Sequence, residues 1–347
     1  MMSSIRVTVL GGGSFGTVLA NLFAENGHSV NLWMRDAARA ADIEVQRENR
    51  TYLPGVKLHP GLTACADLGA CLPGSDLVMV SVPSKAFRNV LRASVSHLPP
   101  QVPMVSSAKG IESARFLLMS QVMAEEVPGS PIGVLSGPNL ATEIAMRHPA
   151  ASVIASPDAS VQLLVQESLA SERFRIYSAE DMYGVELAGA LKNIYAIITG
   201  MSDALGLGAN TRGMLITRSL AEMSRLATTL GANPLTFLGL AGVGDLVVTC
   251  TSPLSRNYRI GSLLAQGRSV EEAEHEVGQV AEGVNTLRLV KAKADALGVY
   301  MPLVSGLHLV LEDPSCIDVV TRGLMMGTIR IPRTALRATC RECSPGR

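Results

Sequence analysis

With 347 residues, 47% of them hydrophobic, the chain can bury one large core or two. Its thirty basic and thirty acidic side chains cancel, which argues against a broad nucleic-acid footprint or an electrostatic membrane anchor. No apolar run reaches bilayer-spanning length and MMSSIRVTV leads straight into a strand, so neither a signal peptide nor a membrane segment is expected. The sequence therefore reads as a soluble, cytoplasmic protein, and an anionic ligand would need a local cluster of cations. Six cysteines, at 65, 71, 250, 316, 340 and 343, are too sparse for a disulfide framework, so reduced thiols are expected. Cys340 and Cys343 form a C-x-x-C in an arginine-rich tail without a second ligand pair. That reads as a frayed terminus, with a metal or redox role as the alternative.

The first predicted strand is the apolar run before Gly11, and three glycines follow it. A helix with Val18, Leu19, Leu22 and Phe23 at helical spacing comes next, ending at Asn26-Gly27, and Val30, Leu32 and Trp33 form a second strand. Gly11, Gly13 and Gly16 fit G-x-G-x-x-G in the strand–turn–helix setting that a dinucleotide requires. The first glycine permits the turn, the second lets backbone approach a pyrophosphate, and the third lets helix pack on strand. Backbone N–H groups at the helix start would hold the anion. At the end of the second strand, Asp36 suits a ribose diol and Arg35 suits a 2′-phosphate, with an ordinary surface arginine as the other reading of Arg35.

Ala37 to Arg47 is predicted helical and Leu53-Pro54-Gly55 marks a loop. Asp76 to Val82 has the near-continuous apolar character of a strand buried on both faces. Further strands are predicted at 104–106, 132–135, 151–155 and 174–177, with a helix starting at Pro83-Ser84. Lys109 and Asn139 fall just past two of these strands, on the side where a doubly wound sheet binds ligands. Near Ser178 the character changes. Ser178 to Asp181 resembles a capping box and opens a long helical pattern through Lys192 and Ile198. Helices follow at 211–230 and after a second capping box at Ser269–Glu272, continuing to about Gly327. The predicted fold is α/β: a Rossmann-type doubly wound sheet over residues 1–180, then an all-α domain over 181–333 and a flexible tail over 334–347. A small substrate is expected in the cleft between the domains.

Lys192 lies in an apolar helical segment among small residues, Gly184, Ala188, Gly189 and Ala196. It reads either as a desolvated proton donor or as a lysine that snorkels to the surface. Gly239, Gly242 and Gly244 are too close together for a structural helix and imply a tight turn that aims Asp245. Ser255-Arg256-Asn257 places a hydroxyl, a guanidinium and an amide together, which suits a phosphate; a serine N-cap followed by a solvated arginine is the common alternative. Glu282 stands between small residues at a helix entry, where a dipole role is the plain reading. No histidine pair has metal-ligand spacing and no G-x-S-x-G elbow is present, so metal catalysis and serine hydrolysis are disfavoured.

Six segments, VTVLGGGSFGT, SSAKGIE, LSGPN, ELAGALKNIYAI, GLAGVGDLVVTCTSPLSRNYRIG and AEGVNT, together resemble the bacterial NAD(P)-dependent glycerol-3-phosphate dehydrogenases. The resemblance runs from the glycine loop to about Thr286. It implies hydride transfer between NAD(P)H and dihydroxyacetone phosphate, with NADP or NAD as cofactor and sn-glycerol 3-phosphate, a phospholipid precursor, as product. It further implies cofactor contacts by Gly11, Gly13, Ser14, Phe15, Gly16, Arg35 and, more weakly, Tyr52, with Ala141, Val280 and Glu282 closing over it. Lys109 would touch cofactor and substrate, and Gly137 and Asn139 would line the substrate site. Lys192 would be the general acid in reduction and the base in oxidation. Asp245, Ser255, Arg256 and Asn257 would complete substrate binding, Arg256 also lying near the cofactor. Asn139 departs from the family's usual serine or threonine but can still donate and accept. The implied partner is a small phosphorylated three-carbon substrate, with no nucleic acid and no membrane, and a homodimer is left open. A related two-domain dehydrogenase of a 3-hydroxy acid or sugar acid and a non-catalytic NADP-binding regulator are the rival readings.

Overall fold

The computed structural model describes residues 3–278 and 282–327, which group into two compact units. The first comprises Met1–Ala190 with Leu230–Val248 and the second comprises Leu191–Thr229 with the chain from Thr249 onward. The changeovers therefore fall inside helices, at Ala190/Leu191 and Val248/Thr249, while the change of sequence character places a boundary at 180.

The first unit is built on β1 (Arg6–Leu10), α1 (Ser14–Glu25), β2 (Ser29–Trp33), α2 (Ala37–Gln46), β3 (Leu62–Cys65), β4 (Leu77–Val80), α3 (Ser84–Ser94), β5 (Met104–Ser106), α4 (Met119–Glu126), β6 (Ile132–Ser136), β7 (Ala150–Ala155), α5 (Ala159–Leu169) and β8 (Phe174–Ala179). Across the sheet the strands run β8-β7-β6-β5-β4-β1-β2-β3, and every pair is parallel except β6–β7. The order 3-2-1-4-5-6 within it is the Rossmann order, and its reversal between β1 and β4 marks the ligand-binding end. Alternate residues of β4 enter two different cores. Leu77 and Met79 pack in the cluster with Val7, Val9 and Phe23, while Val78 and Val80 join Leu10, Phe87 and Leu91. A strand buried on both faces needs apolar residues in succession, which accounts for its sequence.

Four local expectations are corrected. Leu53–Lys57 is a strand, paired with Glu48–Asn49, in place of the predicted loop; Gly55 takes φ +78° within it and donates to Glu48 Oε1 at 2.8 Å. Ser178 does not cap the long helix, because pairing with β7 carries β8 through to Ala179. Asp181 takes that place, accepting from Gly184 N at 2.9 Å. The glycine-rich Leu240–Gly244 is one π-helical turn that runs into a helix, and none of its glycines has positive φ. Gly242 is small there because a Cβ would strike the backbone of Phe237. Finally, Cys65 and Cys71 are paired, with Cα atoms 6.7 Å apart, since the short helix after β3 turns the chain back on itself. Cys250 and Cys316 are buried thiols. Cys340, Cys343 and the 334–347 tail lie outside the described residues.

The remaining helices are α6 (Met182–Ala204), α7 (Gly208–Thr229), α8 (Asp245–Thr251), α9 (Arg256–Ala265), α10 (Val270–Val277), α11 (Glu282–Leu297), α12 (Pro302–Glu312) and α13 (Ile317–Met325). No strand follows β8 among the described residues. Within the second unit, α6 and α9 meet backbone to backbone. A Cβ on Gly200 would strike Tyr258 O, and one on Gly261 would strike Ile197 O. Gly283 of α11 approaches the same helices, its Cβ position being 2.6 Å from Asn193 O and 2.7 Å from Asn257 Oδ1. Glu222 ties α7 to α12 by accepting from Leu303 N at 2.7 Å and Val304 N at 3.3 Å. Among the described residues no helix is long and apolar enough to cross a membrane.

Candidate active site

The turn between β1 and α1 is built for close approach. Gly11 has φ +122°, and a Cβ there would lie 2.5 Å from Ser81 O, at the end of the neighbouring β4. A Cβ on Gly16 would strike Gly11 O, so the third glycine seats α1 against the turn. Gly13 differs from both, since no protein atom lies within 4 Å of its Cβ position. The first turn of α1 holds no acidic residue, and its cap, Gly13, offers no side chain. The open space and the uncapped N–H groups at a helix start suit a pyrophosphate. These residues fit a dinucleotide. Ser14 and Phe15 begin α1, both half-buried, and Phe15 also packs on the core.

At the end of β2, the Arg35 side chain is exposed and makes no hydrogen bond or ion pair among the described residues. Asp36 caps α2, its carboxylate accepting from Arg39 N at 3.1 Å and lying 3.5 Å from the Arg39 guanidinium. Arg39 in turn lies over the Tyr52 ring, 4.9 Å from its centroid. Asn49 connects this corner to the glycine turn, donating to Gly12 O at 2.9 Å and Thr17 Oγ1 at 2.8 Å. Tyr52 N donates back to Asn49 O at 3.2 Å.

Past β5, Lys109 Nζ donates to Asp245 Oδ2 at 2.6 Å and to Gly137 O at 3.0 Å. Asp245 is 1% exposed, which makes the ammonium its natural counter-charge. Gly137 has φ +146°, and its Cβ position is 3.1 Å from Ala151 O and Ser152 Cα, so a side chain there would be strained and crowded. Asn139 Nδ2 donates to Ser152 Oγ at 2.6 Å, leaving Asn139 Oδ1 buried without a partner among the described residues. Ser136 Oγ is also buried and unpartnered. Unpaired buried polar atoms are uncommon, and a pair of them beside Lys109's carbonyl partner suits a polar ligand. Ala141 starts a short helix and packs on the sheet core.

Within the second unit, Lys192 is 5% exposed and its Nζ donates to Thr249 Oγ1 at 2.5 Å. Of the two readings of Lys192, the buried lysine is the one the helix adopts. Thr249 lies four residues after Asp245 on α8. Ser255 caps α9 from a buried position, accepting from Tyr258 N at 3.4 Å. Asn257 Oδ1 accepts from Gly283 N at 3.1 Å, at the start of α11. Loss of solvation lowers the Arg256 pKa, and the charge of Glu282 opposes that fall. Its side chain is crowded by surrounding protein yet keeps part of its surface accessible to solvent. Val280 lies outside the described residues.

Sequence reasoning did not find Thr249, Asn49, Ser136 or Ser152. Only the i, i+4 spacing of Thr249 from Asp245 gave a local signal; the others earn their places through tertiary contacts. No group of three or more potential metal-ligating His, Cys, Asp or Glu side chains occurs among the described residues.

The chain matches the N-terminal model of NAD-dependent glycerol-3-phosphate dehydrogenase over residues 6–162 and the C-terminal model over residues 181–321. It is 56% identical over 330 residues to the glycerol-3-phosphate dehydrogenase [NAD(P)+] of Teredinibacter turnerae, covering 95% of this chain and 97% of the relative. The corresponding protein of Azotobacter vinelandii is 56% identical, covering 94% and 96% respectively. A crystal structure of glycerol-3-phosphate dehydrogenase from Coxiella burnetii superimposes with a TM-score of 0.89 at 38% identity, covering 93% of this chain and 99% of that one. With the glycine turn, the two lysines and both matched halves in one chain, this protein belongs to the NAD-dependent glycerol-3-phosphate dehydrogenase family.

Proposed function

We propose that the chain interconverts dihydroxyacetone phosphate and sn-glycerol 3-phosphate with NADP or NAD, and so supplies glycerol 3-phosphate for phospholipid synthesis. The observation that carries this reading is the family relationship, which spans both the glycine turn and the lysine-bearing helices. When bound, the nicotinamide supplies or accepts the hydride. The glycine turn, Ser14, Phe15 and Arg35 would hold the cofactor, with Ala141, Glu282 and Arg256 as the further contacts the family relationship supports. Lys192 gives its proton to the carbonyl oxygen as negative charge develops there, and takes it back in oxidation. Thr249 orients the Lys192 ammonium through the hydrogen bond between them. Lys109, fixed by Asp245 and Gly137 O, places a second positive charge for the substrate. Asn139 Oδ1, with no protein partner, accepts from a substrate hydroxyl. Ser255, Arg256 and Asn257 bind the phosphate, and this remote contact orients the reacting carbon.

The test is oxidation of NADPH and NADH with dihydroxyacetone phosphate by wild type and Lys192→Ala. Turnover by wild type and loss of roughly a hundred-fold or more in the variant, with cofactor binding retained, is expected for a general acid. A folded wild type that binds cofactor without turnover would overturn the reading in favour of the regulator. Cytoplasmic location belongs to this reading, with cell fractionation as its test, and light scattering tests for a homodimer.

A further inference from the structure

The corner where β2 ends holds a second cation that the family motifs do not include. Arg39 occupies the first turn of α2, four residues beyond Arg35, and its guanidinium lies 4.9 Å from the Tyr52 centroid. Cation–π stacking holds a planar guanidinium at a fixed height while leaving its N–H edge available. The platform itself is fixed to the dinucleotide turn. Tyr52 N donates to Asn49 O, and Asn49 Nδ2 donates to Gly12 O at 2.9 Å. Asp36, the residue whose type suits a ribose diol, is already engaged as the α2 cap through Arg39 N. The ion pair between Arg39 and Asp36 is long, at 3.5 Å, with side chains 30% and 48% exposed. A pair of that kind contributes little and yields readily to a stronger anion. Arg35, the residue before Asp36, is exposed.

We propose that Arg39, seated on Tyr52, joins Arg35 as a specificity-determining cation for the 2′-phosphate of NADP(H). The proposal rests on the dinucleotide reading of the glycine turn. The 2′-phosphate is the one group that separates the two cofactors, and two guanidinium groups match its oxygens with charge-assisted hydrogen bonds. Asp36 Oδ1 is held by its own helix through Arg39 N, which restricts the turn of that carboxylate toward an NAD ribose. Arg39 thereby sets the ratio of the two affinities, whereas the glycine turn sets the affinity common to both.

The experiment is equilibrium binding of NADPH, NADH and adenosine 2′,5′-bisphosphate to full-length wild type, Arg39→Ala, Arg39→Lys and Tyr52→Leu at neutral pH and low salt. Arg39→Ala is expected to weaken NADPH and the bisphosphate by about ten-fold, the scale of one charge-assisted hydrogen bond, while NADH stays within about two-fold. Arg39→Lys recovers part of the loss because charge remains while the planar stack does not. Tyr52→Leu shifts the ratio in the same direction by a smaller factor. Circular dichroism and the melting temperature establish that each variant is folded. Equal weakening of NADPH and NADH, or NADPH binding unchanged in Arg39→Ala, overturns the role of Arg39. Wild type that binds neither dinucleotide overturns the cofactor reading itself, a result separable from the first two.

Discussion

Lys109 and Asp245, 136 positions apart in the sequence, meet at 2.6 Å, with the carboxylate almost wholly withdrawn from water. The ammonium is the less buried partner, its side chain being 19% exposed, and it also holds Gly137 O. The aspartate therefore depends on the lysine more than the lysine depends on it. Lys109→Met, which leaves the Asp245 carboxylate buried without its counter-charge, is expected to cost about 3 kcal/mol of stability as a broken buried pair. Asp245→Asn, which keeps the shape and drops the charge, should lower kcat/KM roughly ten- to a hundred-fold with a smaller stability change. Denaturant titration and steady-state kinetics measure the two effects. Unchanged kinetics in Asp245→Asn would leave the pair a structural one.

Thr249 Oγ1 accepts from Lys192 Nζ at 2.5 Å, and both residues are buried. Thr249→Val keeps the volume and removes the hydroxyl. We expect kcat to fall about ten-fold, on the scale of one hydrogen bond to a charged group, while the Kd for cofactor is unchanged. Thr249→Ser should recover most of the rate. A fully active Thr249→Val beside an impaired Thr249→Ser would show that the methyl group, and hence packing, is what matters.

The glycines of the helical unit separate into two kinds. Gly200 and Gly261 each face a carbonyl oxygen of the opposing helix, and a side chain at either would force α6 and α9 apart. Gly200→Ala and Gly261→Ala are each expected to destabilise by about 1–3 kcal/mol or more, as in an overpacked core. Gly213, exposed inside α7, has no atom within 4 Å of its Cβ position. Gly213→Ala should stabilise the protein by about 0.5–1 kcal/mol through helix propensity alone. Melting temperatures would move in opposite directions, and a stabilised Gly200→Ala would refute the close crossing.

Glu186 is a fully buried carboxyl that accepts from Ser120 N at 3.0 Å and Ser120 Oγ at 2.5 Å. Burial raises its pKa to about 7, and the hydrogen bonds from Ser120 and Met119 only partly offset this. A folded-state pKa above the unfolded value means that the native protein holds the proton more tightly. Stability is thus fully present below the ordinary carboxyl pKa of 4.5 and is lost as pH rises toward about 7. The loss from this residue is roughly 3 kcal/mol across that window. Glu222 has the same sign, its pKa also raised to about 7 by burial. Glu186→Gln should flatten the pH dependence of unfolding between about 4.5 and 7, by the share that Glu186 contributes. A wild-type stability that instead climbs through this window in proportion to Glu186 ionisation, and does so less in the variant, would reverse the assignment.

Local pattern in the sequence was enough for the β1–turn–α1 unit, the alternation of strand and helix through β8, and the helical second half. Each depends on side chains a few positions apart: apolar residues at 3.6-residue spacing, continuous apolar runs, and glycines where a side chain has no room. The same local view put Lys109 and Asn139 just past the ends of β5 and β6 and Lys192 within a long apolar helix. It erred where a long-range contact decided a local question. β8 continues past Tyr177 because β7 lies beside it, so the cap moves from Ser178 to Asp181. Gly242, before Asp245, permits close packing on Phe237, and the segment forms a π-helical turn instead of a tight turn.

Sequence alone therefore determined which segments could be strands or helices and which residue types were available for phosphate, carbonyl and dinucleotide chemistry. Only the tertiary structure decided the partners: Lys109 with Asp245, Lys192 with Thr249, Asn49 with Gly12, and Arg39 with Tyr52. The reason is physical. Periodicity reports which side of an element is apolar, whereas a charge or hydroxyl acquires its partner only when distant elements pack and exclude water from around it.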